Sequence, residues 1–273
     1  MTREQSQDIR SVTPTICALL SANLPESNQC SAFEEVLFRE GFAGVNTVER
    51  LLVYNPDAVG RRMVEKYSSE FELVRTTAPI EINLQSMFPP VTPVCFASMY
   101  TGANPEVHGI DRYMRPIVKT DSIFDILPKE GKKAAIVANR DCSMDLIFRE
   151  RNIDYCIEET DQAVIDRTIT LIEADKHDLI VSYNLEYDQL LHRTGPESPD
   201  CLKAMRKHIN SFEELSEACK SKWKDCSWGI VFAPDHGGHD TPETGGGDHG
   251  LDVPEDMELI HFWGVNNLSL HRL

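Results

Sequence analysis

Positive charge is in short supply in this chain: 27 Lys and Arg stand against 44 Asp and Glu, for a formal net charge of −17 over 273 residues. With no basic cluster to neutralise a run of phosphates, a nucleic-acid polymer or an anionic membrane surface is not an expected partner. Long apolar runs are missing too. None approaches membrane-spanning length, and the opening Met-Thr-Arg-Glu-Gln-Ser-Gln-Asp-Ile-Arg lacks the apolar stretch of a signal peptide, so no membrane association and a cytoplasmic location are expected. The eight cysteines, at 17, 30, 95, 142, 156, 201, 219 and 226, contain no CxxC pair, which argues against a disulfide framework or a zinc knuckle and for reduced thiols in the core. Internal repeats and low-complexity linkers are absent as well.

What is present is an ordinary globular composition, long enough for one large domain over residues 1–273 rather than two. Short apolar runs at 51–54, 133–138, 179–183 and 228–233 have the length and β-branched or aromatic content of buried strands. Between them, residues 58–68, 121–130, 161–175 and 199–221 show helical spacing. The alternation predicts an α/β fold, a three-layer αβα sandwich with a mostly parallel central sheet. Residues 1–48 precede the first strong strand and are read as an amino-terminal arm packed on that domain.

Chemistry-bearing residues gather where the strands end. Pro234-Asp235-His236-Gly237 follows the run Trp228–Ala233, and Gly247-Asp248-His249-Gly250 comes soon after, so three potential metal ligands lie in a glycine-rich segment with little to build a core. The glycines at 237, 238, 245, 246, 247 and 250 would let the backbone turn tightly and approach an ion or phosphate. A solvated surface loop is the competing reading of the same composition. In open α/β sheets, however, ligands bind at the carboxyl ends of strands. Asp57 follows the first strand, where an Asp also serves as a helix N-cap. Asp188 and His192, four apart after the 179–183 strand, fall on one face of a helical turn and can reach one ion. Thr92, framed by prolines ahead of an apolar helix-like stretch, is either an ordinary cap or a hydroxyl aimed, with the helix N-terminus, at an incoming phosphate.

Thr92, then Thr101-Gly102, Pro105 and His108-Gly109, then Asp188, His192 and Gly195-Pro196, then Asp235-His236-Gly237, then His249-Gly250 with Asp256-Met257, resembles the alkaline phosphatase superfamily, in order, over about residues 50–265. The nearest branch is the type I phosphodiesterase/nucleotide pyrophosphatase group. The resemblance implies an alkaline phosphatase-like fold and two divalent metal ions, zinc by preference with manganese or iron as alternatives. By motif position, Asp188, His192 and His249 would hold one ion and Asp57, Asp235 and His236 the other. Thr92 would bridge to the second ion and act as nucleophile, giving a phosphothreonine.

The chain departs from the group's pattern in places. Where an amide donor to a phosphate oxygen is expected three residues beyond the nucleophile, it has Cys95, whose S–H is a weak donor. The expected Asp-Gly corner is Asp57-Ala58. His239 is a second candidate for substrate contact. His108 is expected to stabilise its turn, and Arg193 is a surface charge or a phosphate contact. No Cys/Ser-x-Pro-x-Arg context surrounds Thr92, which disfavours a sulfatase, and the short 109–188 segment leaves little room for an inserted lid domain. The expected activity is hydrolysis of a small phosphodiester or pyrophosphate. A phosphomonoesterase, a phosphonate hydrolase and a metal-binding pseudoenzyme are the alternatives, and a homo-oligomer is left open.

Overall fold

The structure, a computed structural model, describes residues 7–38 and 46–266. Those parts of the expected 1–273 domain and 1–48 arm that fall at 1–6, 39–45 and 267–273 lie outside the described residues.

Strands β1 (Arg50–Pro56), β2 (Ile80–Gln85), β3 (Ala134–Asn139), β4 (Asp154–Glu158), β5 (Leu179–Asn184) and β6 (Trp228–Phe232) come first. A short pair follows, β7 (His239–Thr241) and β8 (Gly246–Asp248), and then β9 (Glu258–Asn266). The main sheet has the order β2-β9-β6-β1-β5-β3-β4. β4, β3, β5, β1 and β6 pair in parallel, whereas β9 is antiparallel to both β6 and β2. Only β9 therefore runs against the rest, and β1, β2, β3, β5 and β6 present their carboxyl ends at one edge.

Strands β1, β3, β5 and β6 are buried along almost every residue, as expected for a sheet covered on both faces. Period-2 alternation divides their side chains between two cores. Leu51 and Val53 of β1 join the core under helices Val12–Leu19, Thr92–Thr101 and Ile123–Lys129. Leu52 and Tyr54 join the other, under Arg61–Lys66, Asp161–Ala174 and Pro199–Lys222. The result is the three-layer αβα sandwich that the alternation predicts.

Local sequence sets these helices. Ser198 accepts from Cys201 N and Pro199 occupies the first turn, while Cys201, Met205, His208, Phe212, Leu215 and Cys219 supply the inward stripe of the longest helix. Ser122 and Asp125 form a reciprocal capping box ahead of Ile123–Lys129. The amphipathic stretch 58–68 is helical only over Arg61–Lys66, followed by a 3-10 turn at Ser68–Phe71. Residues 7–38 pack on the first core: Thr13 Oγ1 donates to Met99 O at 2.7 Å, and Asp8 bridges to Gln85 beside the edge strand β2.

Candidate metal centre

Asp57, Asp188, His192, Asp235 and His236 follow strands of the main sheet at the shared carboxyl edge. Asp57 follows β1 directly, and the turn after it needs a left-handed residue: Ala58 has φ +62°, a conformation that favours the glycine the resemblance implied. Asp188 and His192 lie on the helix Glu186–Thr194 just beyond β5. Asp235 and His236 follow β6.

The glycine-rich segment after them is a hairpin rather than an open loop. β7 pairs with β8, His239 opposite Asp248, and the returning strand delivers His249. Gly245 and Gly250, at φ +74° and +108°, turn the backbone as expected, but at Gly237 and Gly246 the expected approach to a ligand is replaced by another. A Cβ at Gly237 would lie 2.0 Å from Glu255 O, and one at Gly246 would lie 2.4 Å from His192 O. At both positions the close approach is to the protein's own backbone, so the small residues press the hairpin against the 186–194 helix and the 254–257 turn.

Asp256 ties the two histidine-bearing segments together. Its carbonyl accepts from Gly237 N at 2.9 Å, and its buried carboxylate accepts from Leu251 N at 2.9 Å and from His239 Nδ1 at 2.8 Å. His239, an expected substrate contact, is thus held by Asp256 at one face of its ring. Cys95 is fully buried: its thiol meets Ser86 Oγ at 3.2 Å and does not line the cleft, so it does not stand in for a phosphate-binding amide. His108 does stabilise its turn, with Nε2 at 2.9 Å from Ser98 Oγ and Nδ1 accepting from Ile110 N. Arg193 bonds back to Gln189 O on its own helix.

The remaining candidates converge. Asp188 Oδ1 lies 3.4 Å from His192 Nε2 and 3.5 Å from His249 Nε2. His236 Nε2 lies 3.2 Å from Thr92 Oγ1, 3.3 Å from Asp57 Oδ1 and 3.5 Å from Asp235 Oδ2. The His236 and His249 rings are 4.1 Å apart, which joins the two groups. Two compact sets able to hold an ion are Asp57, Asp235 and His236, and Asp188, His236 and His249. His192 flanks the second set, more exposed than its neighbours.

The donor chemistry fits divalent cations. Asp57 Oδ1, Asp188 Oδ1 and Asp235 Oδ2 are buried oxygens with no hydrogen-bond partner, and all three face these sets. Burial, followed by the neighbouring Asp235, holds the Asp57 carboxyl well above the usual carboxylate range. Burial raises Asp188 as well and pushes Asp235 up to about 7. Uncompensated buried charges of one sign are costly, and a cation among them offsets that cost. The imidazoles are prepared for the same role. Burial lowers His236 to about 4 and, with His236 adding to it, His249 to about 3, so both are neutral at pH 7. His236 Nδ1 donates to Gly237 O at 2.9 Å and His249 Nδ1 to Pro90 O at 3.0 Å, which leaves each Nε2 lone pair turned to the site.

Thr92, 5% exposed, opens the helix Thr92–Thr101, so its hydroxyl sits at the positive end of a ten-residue helix. Since Nδ1 of His236 carries the proton, Thr92 Oγ1 donates to Nε2. The cleft over these groups has a volume of about 500 Å³. Its wall includes residues that sequence reasoning passed over: Tyr113, Arg115, Arg140 and Tyr183. Tyr183, the last residue but one of β5, donates its phenol to Asp57 Oδ2, which turns Oδ1 toward the site. The position of Tyr183 and Arg140 at the ends of strands was the available signal.

A mostly parallel sheet between two helical layers makes an alkaline phosphatase-like αβα sandwich. Solved structures sharing it include phosphonoacetate hydrolase from Sinorhizobium meliloti 1021 in complex with phosphonoacetate, at 14% identity and TM-score 0.52 over 70% of this chain and 57% of that one. Another is murine ectonucleotide pyrophosphatase/phosphodiesterase 5, an inactive form of which in complex with AMP matches at 18% identity and TM-score 0.54 over 71% and 59% of the two chains. The chain thus spans less than two thirds of the length of the structures it matches. No protein-family profile and no curated protein matches it in sequence.

Proposed function

We propose that this protein is a metal-dependent phosphoric ester hydrolase that uses Thr92 as nucleophile on a small phosphodiester or pyrophosphate. The observation that carries the reading is the set of three unpartnered buried carboxylate oxygens and two neutral imidazoles gathered around Thr92. Asp57, Asp235 and His236 would hold one divalent cation beside the hydroxyl, and Asp188 and His249, with His192 flanking, the other. Zinc suits such all-N/O donors, with manganese or iron as alternatives. Bound there, the cations supply positive charge that lowers the hydroxyl pKa and stabilises the leaving oxygen.

The protein's own part is positional. The helix N-terminus and the His236 hydrogen bond fix Thr92 Oγ1 for attack on phosphorus. The bond from phosphorus to the leaving oxygen breaks, the alcohol or phosphate departs with a proton, and water then cleaves the phosphothreonine. Phosphonate hydrolysis is a second reading, favoured by the likeness to an enzyme solved with phosphonoacetate. A single domain and a cytoplasmic location are part of the same proposal; no described helix is long and apolar enough to cross a membrane.

The test is hydrolysis of bis(p-nitrophenyl) phosphate and of p-nitrophenyl phosphate by metal-stripped protein, with and without added zinc or manganese. Turnover restored by metal and lost in Thr92→Ala is expected, with the diester preferred. Turnover that survives in Thr92→Ala rules out the nucleophile, and a monoester preference moves the assignment to a phosphomonoesterase.

A further inference from the structure

The metal centre occupies one end of the cleft, and the rest of the wall has a different chemistry. Arg115 and Arg140 both line it, on a chain whose net charge is −17. They come from separate segments, Arg115 from the stretch after His108-Gly109 and Arg140 from the first position beyond β3. The backbone brings them together: Arg115 Nη1 donates to the carbonyl of Asp141, the residue next to Arg140. The Tyr113 ring steadies the same guanidinium from a second side, its centroid 5.9 Å from Arg115 Cζ. Arg140 uses Nε on Glu159 at 2.6 Å, so its terminal nitrogens stay available.

Neither guanidinium is consumed by these contacts. Among the described residues Arg115 has no carboxylate within 4 Å, and Arg140 has one through a single nitrogen. Neither the three unpartnered carboxylate oxygens nor the two imidazoles of the metal centre bond to them. Planar guanidinium forks bind carboxylate and phosphate oxygens in pairs, and an otherwise acidic surface makes a local pair of such cations selective for anions. The volume of about 500 Å³ is that of a site for a whole small molecule, well beyond a lone phosphoryl group.

We infer that Arg115 and Arg140, with Tyr113 as platform for the first, form a subsite for a second anionic group of the substrate, a phosphate or a carboxylate carried beyond the phosphorus that Thr92 attacks. The inference rests on the hydrolase reading above and deepens it. The substrate class becomes organic phosphates or phosphonates with two separated anionic groups, and a diester with no anionic group beyond the phosphorus attacked, such as bis(p-nitrophenyl) phosphate, is turned over but bound more weakly than a diester or pyrophosphate that carries one.

The experiment is calorimetric titration of the metal-loaded protein with four ligands: methylphosphonate and orthophosphate, which have one anionic group, and phosphonoacetate and pyrophosphate, which have two. The two-group ligands are expected to bind about tenfold or more tightly than their one-group counterparts. In the double variant R115Q/R140Q, both exposed positions, that advantage disappears while methylphosphonate and orthophosphate bind as before. Whether phosphonoacetate or pyrophosphate shows the larger wild-type advantage tells a carboxylate from a phosphate at the subsite. Equal binding of all four by the wild type, or an advantage that persists in the double variant, overturns the subsite and leaves the hydrolase reading standing. Failure of every ligand to bind overturns both.

Discussion

Asp235 shows how a single buried residue sets the behaviour of the metal-free protein. Its folded pKa, about 7, lies above the ordinary value of about 3.9, so its contribution to stability is fully present below pH 4 and is lost as the pH rises through 7. His236 and His249 act in the opposite sense: with pKa values lowered to about 4 and about 3, their contribution is present above pH 6.5 and is lost as the pH falls through those values. Asp235→Asn keeps the shape and removes only the carboxylate. Metal-free Asp235→Asn is therefore expected to melt higher than wild type at pH 8, by at least about 3 °C, with the gap closing toward pH 4. Thermal melts of both proteins across that range in the presence of a chelator check it, and a gap that does not depend on pH would refute the account.

Among the elements, the β7-β8 hairpin depends for its placement on missing side chains. Gly246→Ala would drive a methyl into His192 O, and the hairpin can only yield by lifting from the helix that bears Asp188 and His192. A loss of roughly 1–3 kcal/mol is expected, together with weaker metal binding, because His249 follows β8 directly. Denaturant unfolding and chelator competition measure the two effects, and unaltered metal affinity would show that the hairpin does not set His249. The central strands were legible because full burial leaves continuous apolar runs, as in Leu51–Tyr54 and Leu179–Tyr183. β2 was not, since its Ile-Glu-Ile-Asn-Leu-Gln alternates as an edge strand does. β9 also escaped notice, its apolar run broken by His261 and Gly264. The same distinction governs the site. Asp57, Asp188, His192, Asp235, His236 and His249 stand in recognisable spacing, whereas Tyr183, Arg115 and Arg140 matter through contacts between distant segments, which spacing does not report.

At the scale of the whole molecule, the centre links the two halves of the sheet. Asp57 and Asp188 come from one side of it and Asp235, His236 and Thr92 from the other, so a cation held among them is bound by the folded chain alone. Saturating zinc or manganese is expected to stabilise the protein by about 2.7 kcal/mol at a hundredfold excess over the dissociation constant. Melting temperature measured against metal concentration would show it, and a flat response would mean that no cation binds there.

The position of β9 has a consequence for the spacing of the centre. It lies between β6 and β2, although it follows every other described strand in sequence, and within the sheet β2 has no other neighbour. β9 is thus the sheet's link between the strand that leads to Thr92 and the strand that leads to Asp235 and His236, and Ser86, just beyond β2, adds a second tie by donating its hydroxyl to the Asp235 carbonyl at 2.6 Å. Two ligand-bearing segments more than 140 residues apart in sequence are therefore spaced by one antiparallel strand, and the distance from Thr92 to His236 is set by the width of that strand as much as by the residues themselves.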